Sequence, residues 1–225
     1  MRLSLTPEAL TRYVADQIPR FFPDRTVTTA HLYRFVDRAL ERTEYAFSRI
    51  HRKYYYEDGS TVFNHLNTDQ YASFLYFVGN TIFRENGELD LAEKISLLNK
   101  TLHGFDVYHE VEMPDVFLLV HPVGAVLGRA NYGNYLCVYQ GCSAGANLNN
   151  VYPTLGEGVV LYGGARVVGD TWIGDNCWIA PNAVVMDTAV PSGSVAFGLP
   201  PNTSTKPARH NVVERIFCVP GKNLG

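Results

Sequence analysis

A chain of 225 residues, 46% of them hydrophobic, can bury a substantial core as one long domain or two small ones. Its formal net charge of −3 and pI near 6.1 argue against a nucleic-acid or membrane-surface partner held by bulk charge. The cysteines Cys137, Cys142, Cys177 and Cys218 have neither CxxC spacing nor a histidine at metal-ligand distance, so they read as reduced thiols and no metal is expected. The N-terminal stretch MRLSLTPEALTRYVADQ has no apolar run long enough for a signal peptide or a span. The expectation is a cytoplasmic protein without membrane insertion.

The first hundred residues carry helical periodicity. Thr6-Pro7-Glu8 supplies an N-cap, a proline at the first helical position and an acid in the first turn, ahead of Leu10, Val14 and Ile18. A second helix starts near Thr28-Thr29, with Leu32, Phe35, Val36 and Leu40 on one face, and ends before the turn signal Glu57-Asp58-Gly59. A third begins at about Asp69 and carries Tyr71, Phe74, Leu75, Val78 and Ile82. The fourth runs from Leu89 to Leu102 and stops at Gly104.

The second half keeps a different period. Leu155, Leu161, Val167, Ile173, Ile179 and Val185 sit six residues apart, and small or β-branched residues (Val159, Ala165, Thr171, Cys177, Ala183) follow the first five at an offset of four. Neither a sandwich nor a helix has that period, whereas a parallel β-helix of hexapeptide repeats does. Each coil is then a triangle of three short strands whose aliphatic side chains fill a narrow prism. Val126-Leu127-Gly128 reads as a further repeat, and Val116 to Val120 as an apolar strand. The stretch Ser143 to Pro153 breaks the period and is expected to protrude as a loop. The fold expected is α+β: an α-helical domain over 1–104, a left-handed parallel β-helix over 105–201 and a C-terminal tail over 202–225.

The segments LNKTLHGFDV, VHPVGAVLG, YQGCSAG, YPTLGEGVVLYGGARVVG and WIGDNCWIAPNAVV resemble the serine acetyltransferases among the hexapeptide-repeat acyltransferases. The resemblance implies acetyl-CoA as acyl donor and a histidine general base oriented by an aspartate fifteen residues earlier, positions matched by His121 and Asp106. Taken singly, His121 reads as a surface histidine and Asp106 as a turn residue. Together, about one coil apart, they read as a catalytic pair. The resemblance also implies close approach of the pantetheine arm at Gly145, Gly163 and Ala180, and nucleotide phosphates near Lys206 and Arg209. An acidic residue from the helical half is expected at the acceptor pocket, with Asp69 and His65 as candidates. Asp69 is equally explained as a first-turn helix charge.

The serine-specific positions depart from the family. An aspartate before the histidine is Val120 here, and an Arg-His pair is Val151-Tyr152. Without the planar arginine fork, a carboxylate loses its bidentate partner. Val120 and Tyr152 therefore point to a neutral acceptor, a sugar hydroxyl of a glycan or nucleotide-sugar intermediate in polysaccharide biosynthesis. Tyr132, Tyr139, Asn147, Asn149 and Asn150 lie in the same region, where the tyrosines are also explained as packing residues. The alternatives are serine O-acetylation with altered acceptor contacts, or a non-catalytic trimeric scaffold. Hexapeptide prisms are expected to close into a homotrimer, which the helical half can join into a dimer of trimers. The sequence ends GKNLG where serine acetyltransferases that dock onto a partner enzyme end in isoleucine, so that complex is not expected.

Overall fold

The structure is a computed structural model that describes residues 1–24, 27–85 and 88–218. The GKNLG terminus lies outside the described residues. Four helices open the chain: α1 (Pro7–Phe21), α2 (Thr29–Phe47), α3 (Thr68–Arg84) and α4 (Leu89–His103). Thr6 and Thr28 cap α1 and α2 by accepting the backbone N–H of Ala9 and His31, both at 3.2 Å. The α4 helix ends at Gly104 in the left-handed region (φ 59°), a conformation that costs glycine nothing.

The α3 helix is buried on every side from Gln70 to Ile82, because α2, α4 and the start of the prism all pack on it. Tyr76 and Phe77 meet Phe117 with ring centroids 5.8 and 5.3 Å apart. The Tyr76 hydroxyl donates to the Val111 carbonyl at 2.8 Å and accepts from the Met113 N–H at 2.9 Å. These bonds tie the helical half to the base of the prism. The helical half also contains a small sheet that the periodicity did not reveal: Arg2–Leu3 pairs parallel with Ser60–Phe63, which pairs antiparallel with Tyr56–Glu57.

The remainder is a left-handed parallel β-helix of about five coils. Its first face stacks Phe117–Val120, Leu136–Tyr139, Val159–Leu161, Cys177–Ile179 and Ser194–Phe197. The second stacks Asp106–Val107, Val126–Leu127, Ser143–Gly145, Arg166–Val168 and Val184–Met186. The third stacks Asn131–Tyr132, Thr154–Leu155, Trp172–Ile173 and Ala189–Val190. All six aliphatic repeat residues are at most 2% exposed, and the small residues at the matching offset at most 3%. The row Val138, Leu161, Ile179 and Ala196 runs through the prism in direct register. The glycines that follow the third-face strands are required by stacking. A Cβ at Gly174 would lie 2.5 Å from the Ser192 backbone nitrogen, and one at Gly133 would lie 2.4 Å from the Gly156 carbonyl oxygen.

Two expectations need correction. Ser143–Gly145 stays in the sheet, in register with Arg166–Val168, and only residues 146–153 leave it. The Asn147 side chain organises that loop by accepting the N–H groups of Asn149 and Val151, leaving Leu148 fully exposed. The segment after 201 is more than a tail. Ser204–Pro207 pairs antiparallel with Ser194–Phe197, and α5 (Val212–Ile216) lies against the prism. The chain then meets the helical half, where the His51 N–H donates to Ile216 at 2.9 Å and the Cys218 N–H to Arg49 at 2.8 Å.

No helix among the described residues is long and apolar enough to cross a membrane. Ile179→Ala is expected to destabilise the fold by about 2–5 kcal/mol through the cavity it leaves. Gly174→Ala should cost about 1–3 kcal/mol through overpacking against the next coil. Urea unfolding of both variants checks the pair, and a neutral Gly174→Ala would remove the stacking explanation of that glycine.

Candidate active site

His121 sits at the corner between the first and second faces, where the chain has two residues more than the coil above. Five residues separate Val120 from Val126, whereas three separate their register partners Tyr139 and Ser143. The surplus is taken up by a tight turn in which the Val123 N–H donates to the His121 carbonyl at 2.7 Å. His121 itself adopts φ 50°, uncommon outside glycine. The bulge leaves the imidazole exposed.

The exposed ring opens on a cavity of about 300 Å³ lined by Thr68, Leu102, His103, Gly104, His121, Pro122 and Val123. Helices α3 and α4 build one wall and the prism corner the other. Leu102, in the last turn of α4, is 39% exposed because it faces this cavity. The Asn67 side chain caps α3 by accepting the N–H groups of Asp69 and Gln70 at 3.1 and 3.3 Å. The cap places the Asp69 carboxylate where its Oδ1 accepts the His121 backbone N–H at 3.1 Å. Asp69 is thus both a first-turn acid and a neighbour of the candidate base. His65 is directed elsewhere: its Nδ1 shares a 2.8 Å hydrogen bond with Ser4, and its ring packs edge-on to Tyr13.

Asp106 is half-buried on the strand below Val126–Leu127, two residues from the cavity wall at Gly104. Its Oδ2 accepts from Lys100 Nζ at 2.6 Å, and no hydrogen bond joins it to the imidazole of His121. A lysine that sequence reasoning overlooked holds the carboxylate. His103 was overlooked as well. Its Nδ1 lies 2.8 Å from Asn99 Oδ1, and the Asn99 amide donates to the Ala72 carbonyl at 2.9 Å. Because that amide orientation presents an oxygen to His103, Nδ1 carries the proton and Nε2 is left as an acceptor. Burial lowers the His103 pKa and keeps the ring neutral. A histidine at the end of a helix reads as a dipole partner, so no sequence signal separated it from that role.

The donor-side candidates divide between two corners. Gly163 and Ala180 share the His121 corner: Val120 pairs with Tyr139, the Gly164 N–H donates to the Gln140 carbonyl, and the Asn182 N–H to Gly163. A Cβ at Gly163 would lie 2.7 Å from the Gln140 side-chain amide, which occupies the space before this glycine. Gly145 lies at the next corner, beneath the 146–153 loop, and a Cβ there would meet open space. Tyr152 belongs to that second corner, as does Arg129, which lies near Tyr152 and binds Glu110 at 2.6 Å. Val120 ends its strand directly before His121. The Tyr132 hydroxyl donates to the Gly128 carbonyl at 2.9 Å and Tyr139 packs on Tyr162, so both serve packing. Lys206 stands on the strand at the top of the first face. Among the described residues no group of three or more His, Cys, Asp or Glu is placed to hold a metal.

No family model matches the chain. A serine acetyltransferase of Helicobacter pylori strain J99 is 31% identical over 120 residues, spanning 52% of this chain and 70% of that one. The chain belongs to the serine acetyltransferase family. That membership makes it an acyl-CoA-dependent O-acetyltransferase. Solved serine acetyltransferases share the fold. The Brucella abortus enzyme in complex with coenzyme A superposes with a TM-score of 0.68 at 16% identity, covering 92% of this chain and 84% of its own. The Neisseria gonorrhoeae enzyme in complex with serine gives 0.66 at 18% identity, covering 91% and 84%.

Burial holds the Asp69 carboxyl of this acetyltransferase above its ordinary pKa, although the His121 N–H opposes that shift. A carboxyl raised in the folded state adds stability while protonated, and the gain disappears as pH rises through the folded value. Asp69→Asn should therefore gain stability relative to the parent as pH rises through and above the ordinary carboxylate range. Urea unfolding of both proteins across pH measures the difference. A difference that shrinks with rising pH would mean that the His121 contact outweighs desolvation.

Proposed function

We propose that this protein transfers the acetyl group of acetyl-CoA to the hydroxyl of serine or a closely similar small amino acid, with His121 as general base. Family membership supports the reaction. The observation that carries the acceptor is the Asp69 carboxylate at the back of the His121 backbone, beside a cavity of about 300 Å³. A partly buried anion there favours an acceptor bearing an ammonium group, and a neutral sugar has no use for one. The complex of the Neisseria gonorrhoeae relative with serine agrees with that reading.

In the reaction, the His121 imidazole takes the proton of the acceptor hydroxyl as its oxygen attacks the thioester carbonyl. Collapse of the tetrahedral intermediate releases the CoA thiolate, which recovers the proton from the imidazolium. The products are the O-acetyl ester and free CoA thiol. Asp106 is the candidate orienting carboxylate. Lys100 bonds its Oδ2 and leaves Oδ1 outside that contact. Backbone N–H groups near Gly163 and Ala180 are suited to the thioester oxygen, and Gly145 to the pantetheine arm of a neighbouring prism. Joining those two corners calls for the homotrimer, with Lys206 toward the phosphates. A dimer of trimers through the helical half is compatible with this arrangement.

A second reading keeps the chemistry and changes the acceptor to a sugar hydroxyl. Val120 and Val151 favour it, since both positions lack the charged groups that grip an amino acid in the family. Release of thiol from acetyl-CoA, measured against serine, related amino acids, sugars and nucleotide sugars, separates the two. Serine is expected to be the best acceptor, and turnover confined to sugars would overturn the assignment. His121→Asn, which retains the left-handed backbone, should lower kcat by about a hundred- to ten-thousand-fold. Unchanged turnover in that variant would leave the prism as a scaffold.

A further inference from the structure

One acceptor atom in the cavity beside His121 has no partner among the described residues. His103 closes α4 and is only 8% exposed, yet its ring lines that cavity together with Thr68, Leu102 and His121. The ring is fixed from behind. Asn99, one turn earlier and itself buried, donates from its amide nitrogen to the Ala72 carbonyl of α3 at 2.9 Å. That bond turns the amide oxygen toward His103 Nδ1, 2.8 Å away. Tyr71 meets the ring edge-on, with centroids 5.6 Å apart. Helix packing thus sets both position and tautomer: Nδ1 carries the proton and Nε2 presents a lone pair.

No hydrogen bond reaches Nε2. Among the described residues no buried side-chain nitrogen or oxygen lacks a partner, so Nε2 is not sealed in the core and opens on the cavity that the ring lines. Burial lowers the His103 pKa. A ring kept neutral in this way carries protons poorly and accepts hydrogen bonds constantly, which suits recognition better than proton transfer. The cavity lining has no lysine or arginine, and Lys100 nearby is held by Asp106. Asp69, which follows the lining residue Thr68, brings a second acceptor from α3. Acceptors from two helices, with no lysine or arginine in the lining, suit a positively charged group rich in N–H donors.

We propose that His103 determines acceptor specificity by taking a hydrogen bond at Nε2 from the ammonium group of the acceptor amino acid. The assignment rests on the serine reading above and adds to it a residue of the helical half. His121 then takes the hydroxyl proton while His103 holds the amine, so the two histidines of the cavity divide chemistry from recognition.

Two substitutions and two acceptors test the assignment. His103→Asn keeps a donor toward Asn99 and removes the Nε2 acceptor, whereas His103→Gln places an amide oxygen near the Nε2 position. With serine, His103→Asn should raise KM roughly tenfold or more, while kcat and the KM for acetyl-CoA change less than about threefold. His103→Gln should recover most of the serine KM. The second acceptor is 3-hydroxypropanoate, which is serine without its amino group. Its KM, or its inhibition constant against serine where turnover is slow, should be the same for parent and His103→Asn. Neither constant depends on the folded fraction of a preparation, so a poorly folding variant still gives an answer. The proposal is overturned if His103→Asn leaves the serine KM unchanged, if 3-hydroxypropanoate suffers the same rise, or if the loss falls on kcat alone. A parent that turns over no serine overturns the acceptor reading along with this one, whereas an active parent with an unaffected variant overturns only the role of His103.

Discussion

Everything in this molecule is placed by the vertical pairing of one coil on the next. Leu161 over Val138, Ile179 over Leu161 and Ala196 over Ile179 form a closed aliphatic column, and the backbone ladder beside it fixes the height of each residue. A column that narrow tolerates no slip, because a shift of one residue along a strand would turn the inward row to the outside. Chemistry is consequently confined to the corners. The strands have no spare positions, whereas a corner absorbs extra residues without disturbing the stack. Two additional residues at the first corner carry His121 outward, and the excursion over 146–153 carries Tyr152 outward at the next.

The helical half does more than cap the prism. Its central helix α3 is enclosed on all sides, and such a helix cannot rotate without breaking Tyr76 from Val111 or Asn80 from His109. That rigidity fixes the start of α3, and with it the carboxylate of Asp69 against His121. Lys100 and His103 reach the same region from the last turn of α4. The cavity therefore depends on a joint between two kinds of architecture, one side set by helix packing and the other by coil register.

That division explains what could be read in advance. The hexad from Leu155 to Val185 is a local signal, repeated in every turn, so the prism and its buried face were legible from spacing alone. Asp106 stands on the second face beneath Val126, and His121 lies in the corner that leads to Val126, so the fifteen-residue spacing falls short of the full coil between the register partners Asp106 and Val126. The Lys100 contact with Asp106 was hidden, since a lysine in the last turn of a helix ordinarily answers the helix dipole. His103 was hidden for the same reason. Gly145 and Gly163 look alike in sequence, yet one faces open space and the other makes room for Gln140, a difference that only the neighbouring coil defines. The resemblance to serine acetyltransferases pointed to the fold, while Val120 and Tyr152 drew the acceptor toward sugars. Asp69 sets a carboxylate against the His121 backbone, near the position where Val120 lacks one, and leaves the missing arginine without a counterpart.

The C-terminal segment adds one more constraint, on assembly. Residues 204–218 and the helical half lie over the first face, so Cys137 and Val160, on its outward row, are fully buried. The second and third faces leave Val126, Met186 and Trp172 exposed. The corner between those faces carries Gly145 and the loop that presents Leu148, and the opposite edge of the second face carries His121, Gly163 and Ala180. Within one chain these two corners are held apart by the width of the prism. The covering of the first face and the separation of these two corners thus follow from the same coil order, since both are set by the sequence of faces around the prism.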